Sequence, residues 1–246
     1  LRPDTTLVSV MAVNNEIGSI QPIHDIAALL EDRPTISFHV DAVQALAKVA
    51  TEVYLPERVD FATFSSHKFH GLRGVGFVYI KEGKKITPLL TGGGQEKEMR
   101  STTENVAGIA ATAKALRLAM ENQEAFVSKT QQMKEVIRKE LANYPDVTIF
   151  SGEDHFAPHI LTFGIKGVRG EVVVHAFEEF DIYISTTSAC SSKAGKPAGT
   201  LIAMGVDKSI AQTAVRLSLD LENDMSQVEQ FLTKFKLIYE QTRKVR

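Results

Sequence analysis

Two apolar runs, separated by a helix signature and by little else, limit this chain more than any other feature. Leu7-Val8-Ser9-Val10-Met11-Ala12-Val13 reads as a buried strand. It ends in a polar loop, Asn14-Asn15-Glu16-Ile17-Gly18. Pro22 suits the first turn of a helix with Ile23, Ile26, Ala27, Leu29 and Leu30 on its apolar face, and Arg33-Pro34 closes it. Ile36-Ser37-Phe38-His39-Val40 is the second strand. Strand, helix and strand with short links predict a parallel sheet in an α/β fold.

Two further β-prone runs, Val59 to Phe64 and Val75 to Ile80, flank the stretch Ser65-Ser66-His67-Lys68-Phe69-His70-Gly71 and a glycine-rich exit. Lys68 is therefore expected on a turn held by strands on both sides. A lysine there can form a Schiff base if its surroundings lower its pKa. The neighbouring hydroxyls, imidazole and glycine amides suit an anion. Imine-forming amine plus phosphate anchor is what pyridoxal 5'-phosphate requires. A surface lysine in a polar turn fits the same residues. Asp41 caps the second strand and has the charge to keep a pyridinium nitrogen protonated, although aspartate is also an ordinary turn residue at strand ends. In parallel sheets ligands bind at the carboxyl ends of strands. Asn15 and Asp41 follow two such ends, and Ser65, His67 and Lys68 a third.

Gly92 to Asn105 is polar and glycine-rich, and from about Val106 a helical pattern runs in two pieces to about Tyr144. Strands are expected at Val147–Phe150, Ile160–Phe163, Ile182–Ser185 and Ala214–Leu219, with helices at Glu171–Phe180 and Met225–Thr242. A boundary near Asn122 divides residues 1–122, a sheet-based piece, from residues 123–246, a smaller α+β piece. Thr186 to Gly199 is a long segment of small residues, expected to be mobile. It carries Cys190, the one cysteine of the chain. Polar surroundings are where reactive thiols sit, with a bystander thiol as the alternative, and Lys193 and Lys196 would favour the thiolate. Arg216 is a lone cation in an apolar strand, suited to a bidentate grip on a carboxylate or to a buried ion pair. His24, His70, His155 and His159 have no metal-ligand spacing.

A single cysteine allows neither an intrachain disulfide nor a structural zinc site, and a reducing cytoplasmic setting is expected. The net charge of −2 gives no sign of a nucleic-acid or membrane surface. No apolar run approaches the roughly 20 residues of a membrane span. The N-terminal Leu1-Arg2-Pro3-Asp4 is not a signal peptide and lacks an initiator methionine, so the chain is expected to begin inside a larger protein or to have been processed or trimmed.

Six stretches taken together resemble one family. They are Asn14-Asn15-Glu16-Ile17-Gly18, His39-Val40-Asp41-Ala42-Val43-Gln44, Ser65-Ser66-His67-Lys68, Gly92-Gly93-Gly94-Gln95-Glu96, Arg100-Ser101-Thr102-Thr103-Glu104-Asn105 and Ser188-Ala189-Cys190-Ser191-Ser192. In order and spacing they are similar to the NifS-type cysteine desulfurases, fold type I pyridoxal-phosphate enzymes of the class V aminotransferase family. Within it, they resemble the group serving iron–sulfur assembly and tRNA thiolation. The resemblance implies that Lys68 bonds the cofactor and moves protons, that Asp41 pairs with the ring nitrogen, and that Gln44 bonds the phenolic oxygen. Ser65 and His67 would hold the phosphate, and Thr103 would reach the phosphate of a partner subunit's cofactor, which implies a homodimer. Asn15 and Arg216 would bind the carboxylate of L-cysteine. Cys190 would take the sulfur as a persulfide for an acceptor protein and leave alanine.

The chain departs from the family at Thr102, where a glycine is usual, and at Asp220-Leu221, where Gly-Arg or a similar pair is usual. The family's Gly-Ala-Thr-Glu phosphate loop and ring-stacking histidine belong to an N-terminal part not in this sequence, so the large domain is expected to be incomplete. Two other readings stand beside the desulfurase. One is a related aminotransferase or selenocysteine lyase. The other is a non-catalytic module that dimerises or scaffolds.

Overall fold

The computed structural model describes residues 1–187 and 199–244. Cys190, Lys193, Lys196 and the expected mobility of their segment lie outside the described residues. The chain divides into two compact units, Leu1–Ala12 with Gln21–Gln123 and Val13–Ile20 with Glu124–Arg246. The short excursion Val13–Ile20 thus groups with the second unit.

In the first unit β1 (Leu7–Met11), α1 (Ile23–Leu29), β2 (Ser37–Asp41), α2 (Thr51–Tyr54), β3 (Phe61–Ser65) and β4 (Gly76–Ile80) precede the long helix α3 (Val106–Glu121). The sheet order is β1-β2-β3-β4. β1, β2 and β3 are parallel, as strand–helix–strand links require, and β4 returns antiparallel along β3. One face, with Phe38, Val40, Ala62 and Phe64, is buried. The other carries Ser9, His39, Asp41, Thr63 and Ser65, because alternate residues of a strand point to opposite faces. At the amino ends of β2 and β3, buried Asp60 accepts from Phe38 N at 2.8 Å and pairs with Arg58 at 2.9 Å and Lys84 at 3.0 Å. Arg58 also donates to the carbonyls of Leu30, Arg33 and Ile36. Asn105, the last residue of the polar motif, caps α3 by accepting from Gly108 N at 3.0 Å.

The second unit contains nearly all of α4 (Gln123–Leu141), then β5 (Val147–Ile149), β6 (Ile160–Ile165), α5 (Gly170–Glu178), β7 (Ser185–Thr186), α6 (Gly199–Ala203), α7 (Lys208–Ala211), β8 (Ala214–Ser218) and α8 (Met225–Lys244). Its sheet is antiparallel in the order β5-β6-β8-β7. Leu161, Phe163, Ile165, Val215 and Leu217 pack with Met133, Ile137 and Leu141 of α4, Val173 and Phe177 of α5, and Phe231, Phe235 and Tyr239 of α8. All six residues of β6 are buried, as suits an interior strand of this sheet. The expected strand at Ile182–Ser185 is a correction. Only Ser185 and Thr186 pair, with Arg216 and Val215 of β8, while Ile182 and Ile184 serve as side chains packed on the core. Among the described residues no helix is long and apolar enough to cross a membrane. None of their His, Cys, Asp and Glu side chains form a group of three or more able to hold a metal.

Candidate active site

In the first unit the site residues gather at the carboxyl edge of the parallel strands. Asp41 is the last residue of β2 and lies level with Thr63 of β3. Its Oδ1 accepts from Val43 N at 3.0 Å, which fixes the carboxylate over the turn that carries half-buried Gln44. Ser65 ends β3 opposite Gly76. A single 3-10 turn, Ser66–Lys68, follows at once, so Lys68 enters at the same edge one strand away from Asp41. Lys68 is half-buried and His67 is exposed.

The turn is held from below. Ser66 is fully buried, its Oγ lies 2.9 Å from Thr112 Oγ1 of α3, and its carbonyl accepts from both Phe69 N and Gly71 N. A Cβ at position 71 would sit 1.8 Å from Ser66 Oγ. Glycine is therefore required there by close approach. Thr103 lies exposed in the loop before α3.

His39 was not singled out by sequence reasoning. Its Nδ1 lies 2.7 Å from Ser9 Oγ and its Nε2 3.1 Å from Thr63 Oγ1, tying β1, β2 and β3 together on the face that carries Asp41. Burial lowers its pKa, with the charge of Asp41 opposing the shift. Each ring nitrogen thus lies within hydrogen-bond distance of a hydroxyl.

In the second unit Arg216 occupies the middle of β8, half-buried, and its Nη1 donates to the carbonyl of Asn15 at 2.7 Å. The acceptor in this bond is a neutral carbonyl. Asn15 and Arg216, 201 positions apart, therefore share one frame. Neighbouring Glu16 accepts through Oε2 from Thr200 N at 3.1 Å, and Asn14 Nδ2 donates to Thr200 Oγ1 at 3.3 Å. Thr200 was likewise invisible in the sequence, because nothing local marks a partner so far along the chain.

The donor set of the first unit fits pyridoxal phosphate. It offers an amine for the aldehyde, a carboxylate one strand away for the ring nitrogen, an amide for the phenolic oxygen, and a hydroxyl and an imidazole for the phosphate.

The fold of the chain is similar to that of NifS-like proteins. A solved structure described as a NifS-like protein aligns with a TM-score of 0.86 at 36% identity, over 99% of this chain and 62% of that one. Residues 1–231 match the aminotransferase class-V family, and the chain belongs to that family, whose members are in general dependent on pyridoxal phosphate. A NifS/IcsS protein homolog of Lactobacillus delbrueckii subsp. bulgaricus is 51% identical over the whole of this chain and 64% of its own length. The cysteine desulfurase IscS of Clostridium botulinum is 38% identical over 98% of this chain and 61% of its own length. The chain thus spans less than two thirds of these relatives.

Proposed function

We propose that the complete protein containing this chain is a pyridoxal-phosphate-dependent cysteine desulfurase. The observation that carries this reading is the placement of Lys68 and Asp41 at the carboxyl edge of adjacent parallel strands, within a chain so similar to named desulfurases. In linear terms we assign residues 1–122 to the cofactor-holding domain and 123–246 to a small domain.

Lys68 would hold the cofactor covalently, with Asp41 at its ring nitrogen, Gln44 at its phenolic oxygen, and Ser65 and His67 at its phosphate. When bound, the cofactor supplies an electron sink for charge developing at the substrate's α-carbon. Lys68 Nζ takes and returns the proton at that carbon. Asn15 and Arg216 hold the carboxylate of L-cysteine. The Cys190 thiolate attacks the substrate sulfur, and the carbon–sulfur bond breaks with its electron pair left on the alanine fragment, which is then protonated. The products are L-alanine and a persulfide on Cys190. The persulfide passes to an acceptor protein of iron–sulfur assembly or tRNA thiolation. Thr103 serves the partner subunit's cofactor, so the working form is a homodimer, and single-cysteine usage favours the cytoplasm.

The test is Cys190→Ser in the complete protein. Cysteine should still perturb the cofactor absorbance, no sulfide should be released, and mass spectrometry should find the extra sulfur of the parent protein on Cys190. Sulfide release near the parent rate would reject the sulfur-carrier role and favour a related aminotransferase.

A further inference from the structure

The carbonyls of four consecutive residues, Asn15, Glu16, Ile17 and Gly18, each accept a hydrogen bond from elsewhere in the second unit, to which they belong. The donors are Arg216 Nη1 at 2.7 Å, Thr162 Oγ1 at 2.6 Å, Ser151 Oγ at 2.6 Å and Ala157 N at 2.7 Å. Thr162 and Arg216 stand directly opposite each other on β6 and β8. A directly opposed pair projects to the same face of a sheet, so these two side chains reach adjacent peptide units for a geometric reason. Ser151 joins the same row, since its Oγ also accepts from Thr162 N at 2.9 Å. The segment leaves no slack elsewhere. Asn14 Oδ1 accepts from Glu16 N and Ile17 N, and Ile17 is buried against Leu201, Ala211 and Ala214. Gly18 has φ +81°, and a Cβ there would come within 2.9 Å of Ile160 Cβ.

Ser151 and Thr162 are 1% and 0% exposed. Packing alone would be served at least as well by alanine and valine, because a buried hydroxyl costs free energy unless it is bonded. Thr162 donates to the carbonyl of Glu16, next to Asn15, and Ser151 to that of Ile17, one residue further on. We infer that Ser151 and Thr162 are positioning residues that set the direction of Asn15, and with it the register between Asn15 and Arg216. This rests on the reading of Asn15 and Arg216 as the carboxylate-binding pair.

The experiment uses the complete, cofactor-loaded protein with Thr162→Val, Thr162→Ser, Ser151→Ala and, as a control on the reading itself, Arg216→Lys. Thr162→Val should raise the KM for L-cysteine about fivefold to tenfold, the size expected for one hydrogen bond, with kcat within about twofold. Ser151→Ala should do the same, and Thr162→Ser, which keeps the hydroxyl, should restore KM. Hydrogen exchange read on peptides covering Val13–Ile20 should accelerate in Thr162→Val and not in Thr162→Ser. A rise in KM for Arg216→Lys with none for Thr162→Val or Ser151→Ala would overturn the positioning role. Unchanged KM in Arg216→Lys would instead reject the carboxylate reading. Exchange then decides alone, because unaltered protection in Thr162→Val would show that Thr162 does not hold the Val13–Ile20 segment.

Discussion

Lys134 Nζ donates to the carbonyl of Ala157 at 2.8 Å and lies 5.8 Å from the centre of the Phe156 ring. The bond ties α4 to the same loop whose Ala157 N holds Gly18. Lys134 is only 3% exposed. Burial, with the charge of Arg138 adding to it, lowers its pKa to about 8 from 10.5. Below pH 8 the ammonium is charged in both the folded and unfolded chain, and its burial cost is fully present. Between about pH 8 and 10.5 the unfolded chain binds a proton that the folded chain has lost, so stability from this group rises with pH.

Lys134→Met removes that dependence. From pH 7.5 to 10 the parent should gain on the variant by about 2 kcal/mol. Urea midpoints at the two pH values measure it, and a constant difference would place the ammonium in water.

Asp60 should govern acid sensitivity of the first unit. Burial alone would raise its pKa, yet the Phe38 amide, Lys84 and Arg58 bring it below 3.8. Its stabilisation is present above the unfolded pKa and is lost as pH falls through the lower folded value. Asp60→Asn leaves Arg58 and Lys84 without their counter-charge and should cost about 3 kcal/mol at pH 7. Thermal unfolding from pH 7 to 3 should show the variant's deficit shrinking toward the acid end. A variant as stable as the parent at pH 7 refutes the role.

Borohydride reduction of the complete, cofactor-loaded protein, followed by peptide mapping, should find the label on Lys68. A label on another lysine removes Lys68 from the site.

Asp41→Asn should keep the cofactor, seen in its absorbance, and lose about a hundredfold or more in turnover, since an amide cannot favour a protonated ring nitrogen. Near-normal turnover would leave Asp41 as a turn residue.

The elements that position the lysine were legible because they obey local rules. Leu7–Met11, Pro22 at the start of α1, and the apolar runs around Lys68 carry periodicity and turn chemistry within a few residues of one another. The antiparallel return of β4 was not legible, since strand direction is decided by partners and not by composition. Ile182 and Ile184 looked like strand residues because β-branched residues suit strands and apolar packing alike, and here packing without pairing won. The polar motifs pointed to Asp41, Ser65 and Lys68, which the fold brings to one strand edge. They could not disclose Ser151, Thr162 or Thr200, whose bonds to Ile17, Glu16 and Asn14 span 134, 146 and 186 positions. Single serines and threonines are common, and their importance arises only from what the fold brings to them.

The grouping of Val13–Ile20 with Glu124–Arg246 means that the second unit is discontinuous in the gene. A fragment expressed from Glu124 onward would keep Arg216, Thr162 and Ser151 but lose the carbonyls they bond. A synthetic Val13–Ile20 peptide is the natural complement for it, in the manner of a split reporter. A tag or protease site inserted between Ala12 and Gln21 would act on that unit, although the rest of the unit begins only at Glu124.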